Sequence, residues 1–87
     1  MNKIAIIGFG RIGSILGAYL SKHNNNLVYG IDIDHNFLET FKSKKTIFKE
    51  TGLYNEISRS LKKKRLILTD NLKHIKKCKY IIICVGT

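Results

Sequence analysis

The sequence predicts an α/β fold: a parallel sheet of about four strands in the order 3-2-1-4 with flanking helices, forming an incomplete doubly wound domain over residues 1–87. Three observations predict it. Short apolar runs alternate with stretches of helical apolar period, a Gly-x-Gly-x-x-Gly joins the first run to the first helix, and an aspartate closes the second run. A chain of 87 residues holds one small domain at most.

The elements follow in order. Lys3 to Ile7 is β-branched, apolar and stopped by Gly8, as a buried parallel strand is. Ile12, Ile15, Leu16, Tyr19 and Leu20 then recur at helical spacing, which predicts one apolar stripe on a helix running to about His23, ended by Asn24-Asn25-Asn26. Leu27 to Asp32 reads as the second strand, and Phe37, Leu38 and Phe41 as the inner face of a helix fading into Lys44-Lys45. Thr46 to Gly52 is irregular, and Leu53, Ile57 and Leu61 lie one turn apart on a further helix. Arg65 to Thr69 forms the third strand. Thr69 or Asp70 caps a short helix carrying Leu72 and Ile75, and Tyr80 to Val85 is the fourth strand. The alternation implies right-handed crossovers with helices on both faces.

Gly8-Phe9-Gly10-Arg11-Ile12-Gly13 carries the chemistry, because it leaves a strand and opens a helix, the context a dinucleotide site requires. Gly8 permits the sharp turn, Gly10 leaves room for a pyrophosphate beside the backbone, and Gly13 lets the helix lie close to the sheet with its free N–H groups toward the phosphates. Gly17 extends that close contact by one turn. Asp32 ends the second strand where a carboxylate accepts the hydroxyls of an adenosine ribose. Arg11 opposes the helix dipole by up to about 1 kcal/mol, which a phosphate contact would offset; the alternative is a solvent-facing side chain. Gly86 and Thr87 fall beside the switch point between the first and fourth strands, where ligands of such sheets bind.

Sixteen Lys and Arg against six Asp and Glu give a net charge of +10, which raises nucleic acid, anionic membrane or a phosphorylated ligand as partners. Lys62-Lys63-Lys64-Arg65, with Lys73, Lys76, Lys77 and Lys79, is read as solvated surface, because no stacking aromatics interleave with it. We therefore expect no nucleic acid and no membrane partner. Cys78 and Cys84 lack metal-ligand spacing and read as packing residues of a reduced, cytoplasmic protein, with no metal site.

Across nearly the whole chain, KIAIIGFGRIG, GIDID, TIFKETGL (Thr46 to Leu53) and RLILTDNLKHIKKCKYIIICVGT resemble the amino-terminal NAD-binding, Rossmann-type domain of the UDP-glucose/GDP-mannose dehydrogenase family. The Glu50-x-Gly52-Leu53 insertion, the Leu-x-x-Thr-Asp strand end and the closing Val-Gly-Thr are the distinctive segments. The resemblance implies NAD as cofactor and a full-length homo-oligomeric enzyme, similar to UDP-glucose 6-dehydrogenase, that oxidises the sugar C6 hydroxyl of a nucleotide sugar to a carboxylate in polysaccharide biosynthesis. It also implies that Gly8, Gly10, Arg11, Ile12 and Gly13 line the pyrophosphate, that Asp32 holds the ribose, and that Thr87 contacts the cofactor. The family's catalytic cysteine, lysine and aspartate come later than these residues, so no catalytic residue is expected in this chain, which reads as a fragment. The chain departs from the family pattern at Arg11, usually aromatic, at Thr51, usually proline, and at His35 and Phe37, usually a proline and a basic residue.

Two other readings compete. RCK-type regulatory domains of potassium transport systems resemble the first helix and strand-end acid, but end their third strand in Gly-Asp-Ala, where this chain has Thr69-Asp70-Asn71. A basic nucleic-acid binder would show affinity falling steeply with salt.

Overall fold

Four strands, β1 (Asn2–Ile7), β2 (Asn26–Ile31), β3 (Leu66–Thr69) and β4 (Tyr80–Ile83), form one parallel sheet in the computed structural model, which describes residues 1–43 and 52–85. The order is β3-β2-β1-β4, as the alternation of elements predicts. Ile7 pairs with Ile31 and Ile83, and Ile31 with Thr69, so the four strands end in one row. The residues that follow each strand therefore share one edge.

Period-two alternation sorts the side chains onto two faces. Ile4, Ile6, Val28 and Leu66 face three helices, α1 (Arg11–Ser21), α2 (His35–Lys42) and α3 (Leu53–Lys62), which contribute Ala18, Leu38, Phe41, Leu53 and Ile57 to the larger core. Ala5, Tyr29 and Ile31 face the other way, under Ile75 and Cys78 of a 3-10 helix, Leu72–Lys77, and its cap. That helix begins at Asn71, whose side-chain oxygen accepts from the Lys73 N–H at 2.9 Å. Thr69 and Asp70, the expected caps, precede it; the Thr69 hydroxyl instead accepts from the Asn71 N–H at 3.1 Å.

Helix α1 departs most from the expected pattern. Its buried residues are Gly13, Ser14, Gly17, Ala18 and Ser21, while Ile12, Ile15 and Tyr19 of the expected apolar stripe stand 66%, 39% and 59% exposed. Small residues occupy the closest approach to the sheet and α3, while Leu16 and Leu20 of the expected stripe pack, partly buried, against the core. Where α1 meets α3, the fully buried Ser21 and Ser60 hydroxyls bond each other at 2.9 Å, so their polarity is satisfied without solvent. α1 ends at Ser21 rather than His23, and Asn26 belongs to β2. α3 begins after Gly52, whose φ of +77° suits glycine. Lys44-Lys45 and the expected irregular stretch up to Thr51 lie outside the described residues.

β4 is shorter than expected, ending at Ile83 rather than Val85. Tyr80, Ile81 and Ile83 are exposed, because among the described residues β4 pairs with β1 alone, as an apolar strand with an uncovered outer edge does. No described helix is long and apolar enough to cross a membrane.

These burials separate two isoleucines. Ile57→Ala is expected to cost about 2–5 kcal/mol, by emptying a fully enclosed site. Ile12→Ala, on the open side of α1, should stay within about 0.5 kcal/mol. Urea unfolding monitored by circular dichroism measures both.

Candidate functional site

The shared strand ends place the glycine turn between its neighbours. The Gly8 N–H donates to the Ile31 carbonyl at 2.7 Å, and the Cys84 N–H donates to the Ile7 carbonyl at 2.7 Å. Gly8 has φ +91°, and a methyl group there would stand 2.9 Å from the Cys84 carbonyl, so both backbone freedom and space demand glycine. A methyl at Gly13 would overlap the Gly8 carbonyl oxygen and stand 3.3 Å from the Ile6 side chain, which fixes how near the helix starts to the strand. Gly10 differs from both. It caps α1 in an extended conformation, its carbonyl accepts from the Ser14 N–H at 2.8 Å, and among the described residues nothing lies within 4 Å of where a side chain would begin. Arg11 and Ile12 follow as exposed residues of the first helical turn.

Asp32 comes directly after β2, half-buried, and its carboxylate is already engaged. One oxygen, Oδ2, accepts from the Phe9 N–H at 2.9 Å, and Oδ1 accepts from the Asp34 N–H at 3.0 Å. Charge-assisted bonds of this kind contribute about 1.5–3 kcal/mol each, so the acid ties the glycine turn to the end of β2. Phe9, the residue between the first two glycines, is fully buried. Its ring meets Phe41 edge-on, centroids 5.3 Å apart, and occupies the space that side chains at Gly17 and Gly30 would need. Gly17 thus makes its close contact mainly with this ring rather than with the strand.

Gly8, Gly10 and Asp32 line a cleft of about 310 Å³ with Ile33, Leu72 and Val85. The structure brings these three candidates together and sets Gly13 beneath them, buried. Arg11 and Ile12 lie on the neighbouring helical turn, outside the cleft lining. Thr87 lies outside the described residues, as do Gly86, Glu50 and Thr51. A larger groove of about 480 Å³ runs between α1 and α3 past Ile15, Tyr19 and Leu53, and touches none of the glycine turn.

Sequence reasoning missed Phe9, Ile33 and Leu72. Phe9 carried a signal in its position inside the turn, and Ile33 in being apolar at a strand end flanked by acids. Leu72 lies on the expected short helix, is 48% exposed and borders the cleft. Cys78 is half-buried, its thiol donating to the His74 carbonyl at 3.4 Å. Burial raises its pKa against the pull of Lys3 and Lys77, which suits a packing role.

The contacts around the glycines predict unequal costs for one change. Gly13→Ala should destabilise by about 1–3 kcal/mol or more through overpacking on main chain that cannot yield. Gly10→Ala should cost about 1 kcal/mol or less, the difference between two caps lacking a side-chain bond. Thermal melts of the two variants beside the unaltered protein check the order.

The UDP-glucose/GDP-mannose dehydrogenase family, NAD binding domain, matches residues 2–87. Among solved structures, a GDP-mannose dehydrogenase from Pseudomonas aeruginosa is 27% identical with a TM-score of 0.87, over 97% of this chain and 19% of that one. A UDP-D-ManNAc dehydrogenase from Pyrococcus horikoshii is 25% identical with a TM-score of 0.86, over 95% of this chain and 20% of that one. A UDP-glucose dehydrogenase from Pyrobaculum islandicum, at 22% identity, TM-score 0.86 and coverage of 100% and 20%, speaks for the fold alone. This chain thus spans about a fifth of the length of the solved structures it matches. No curated protein gives a significant match. The regulatory-domain alternative finds no support in these matches, and the third-strand ending and the glycine turn agree with the first reading. The chain belongs to the UDP-glucose/GDP-mannose dehydrogenase family, whose cofactor is NAD, and its residues 2–87 match that family's NAD-binding domain.

Proposed function

We propose that these residues hold the adenosine and pyrophosphate end of NAD for a cytoplasmic, homo-oligomeric enzyme that oxidises the C6 hydroxyl of a nucleotide sugar, UDP-glucose or a close relative, to a carboxylate. The observation that carries the proposal is the cleft in which the open face of Gly10 and the carboxylate of Asp32 meet at the start of α1. The residues present fit the cofactor. A side chain at Gly10 would fill space that no atom of the described residues uses, and that space adjoins the helix's free N–H groups, which favour an anion. Ile33 and Leu72 give apolar walls of the kind an adenine ring covers.

In this reading Gly8, Gly10, Arg11, Ile12 and Gly13 line the pyrophosphate, Asp32 receives the ribose and Thr87 contacts the cofactor beyond β4. NAD, when bound, supplies the acceptor for the hydride removed from the sugar carbon. The chain's own part is binding and orientation. Asp32 accepts ribose hydroxyls, and Asp34 adds a second negative charge two residues on, with no arginine among residues 33–36 to receive a 2′-phosphate. Arg11 places a positive charge in the first turn, where a bound phosphate offsets its clash with the dipole.

Asp32→Ala should weaken NAD binding about ten- to hundredfold, at roughly 1.4 kcal/mol per decade, and leave NADP little changed or slightly improved. Calorimetric titration of both cofactors into the full-length protein and the variant tests this, at matched ionic strength because of the +10 charge. Equal losses for the two cofactors, or none for NAD, would place the ribose elsewhere.

A further inference from the structure

We infer that Phe9 is a positioning residue, which sets the Asp32 carboxylate for the ribose without touching the cofactor itself. The inference rests on the cofactor reading above and adds to it a residue that the glycine pattern leaves undefined.

The ring of Phe9 is held in a socket. A methyl at Gly17 on α1 or at Gly30 on β2 would stand 2.7 Å from it, and Phe41 of α2 closes the third side edge-on. Ring rotation or withdrawal is opposed by close packing from three elements, with no exposed surface left. The main chain of the same residue lies in the glycine turn, so a fixed ring means a fixed N–H. That N–H donates to Asp32 Oδ2 at 2.9 Å, while the Asp34 N–H holds Oδ1 at 3.0 Å. A carboxylate offers about four acceptor positions, two on each oxygen. The two N–H groups take one on each, and one on each remains. Two acceptor positions, one on each oxygen, are thus left for the two adjacent hydroxyls of a ribose. The carboxylate is thus oriented before the cofactor arrives, and the cost of ordering it is met by folding rather than by binding.

The test is a size exchange across the socket in the full-length protein. Gly17→Ala crowds the ring, and Phe9→Leu removes the ring atoms that crowd it; each alone should raise the NAD dissociation constant about tenfold, near 1.4 kcal/mol. Combining them should bring affinity back to within about threefold of the unaltered protein, because the two changes touch and are not additive. Phe9→Met, which keeps most of the volume, should bind nearly as the unaltered protein does. Amide hydrogen exchange at position 9 without NAD is the second readout: slow in the unaltered protein and in Phe9→Met, fast in the two single changes, slow again in the pair.

Failure has two distinguishable forms. If the unaltered protein binds no NAD, the cofactor reading falls and this inference with it. If it binds NAD, and folded Gly17→Ala or Phe9→Leu protein with a fast-exchanging position 9 binds equally well, Phe9 is a core residue alone and the inference is overturned.

Discussion

A methyl group at position 13 would collide with the Gly8 carbonyl oxygen, and this near-contact of two main-chain segments sets the distance between β1 and α1. Much else is a consequence of that distance. A helix starting so close to its strand presents its free N–H groups over the sheet's carboxyl edge. Its closest approach admits only small residues, which is why Gly13, Ser14, Gly17, Ala18 and Ser21 are buried while Ile12, Ile15 and Tyr19 on the same helix face out. The volume left beneath the turn is filled by one ring, Phe9. The glycines at 17 and 30 are the counterparts of that ring rather than independent concessions to flexibility.

Charge is divided along the strand direction. Asp32, Asp34 and Asp70 follow the strands at their carboxyl ends, whereas Lys63, Lys64 and Arg65 precede β3 and Lys76, Lys77 and Lys79 precede β4. Some of the cations have structural work at that far edge. Arg65 donates to the Lys22 carbonyl at 3.4 Å and to Asn24 Oδ1, beside the carbonyl end of α1 where a positive charge is favoured. The cleft edge of a strongly basic chain is therefore locally acidic.

The two faces of the sheet are covered unequally. Three helices close over Ile4, Ile6, Val28 and Leu66, while the opposite face has a single 3-10 helix, with His74 stacked on Tyr29 at 4.9 Å. Beside it β4 leaves Tyr80, Ile81 and Ile83 exposed. Apolar area of this kind on an edge strand is a pairing surface, and it contrasts with the enclosed β1 and β2 on which the cleft is built.

The sequence by itself determined the element order, the 3-2-1-4 sheet, the glycine turn and the acid at the end of β2. Each is written in local terms: periodicity, glycine spacing, and a carboxylate a fixed number of residues from a strand. It also carried the family, because the later segments, the helical insertion and the Thr69-Asp70 strand end, are local strings too. What periodicity could not decide was which side of α1 faces inward. Of the apolar stripe Ile12, Ile15, Leu16, Tyr19 and Leu20, only Leu16 and Leu20 pack against the core, and full burial went to the small residues, since the distance to β1 and α3 is a property of the packed elements and not of the helix. Only the tertiary structure joined Phe9 to Asp32, residues 23 apart in sequence, because their bond exists only once β1 and β2 lie side by side and a buried ring has fixed the turn between them.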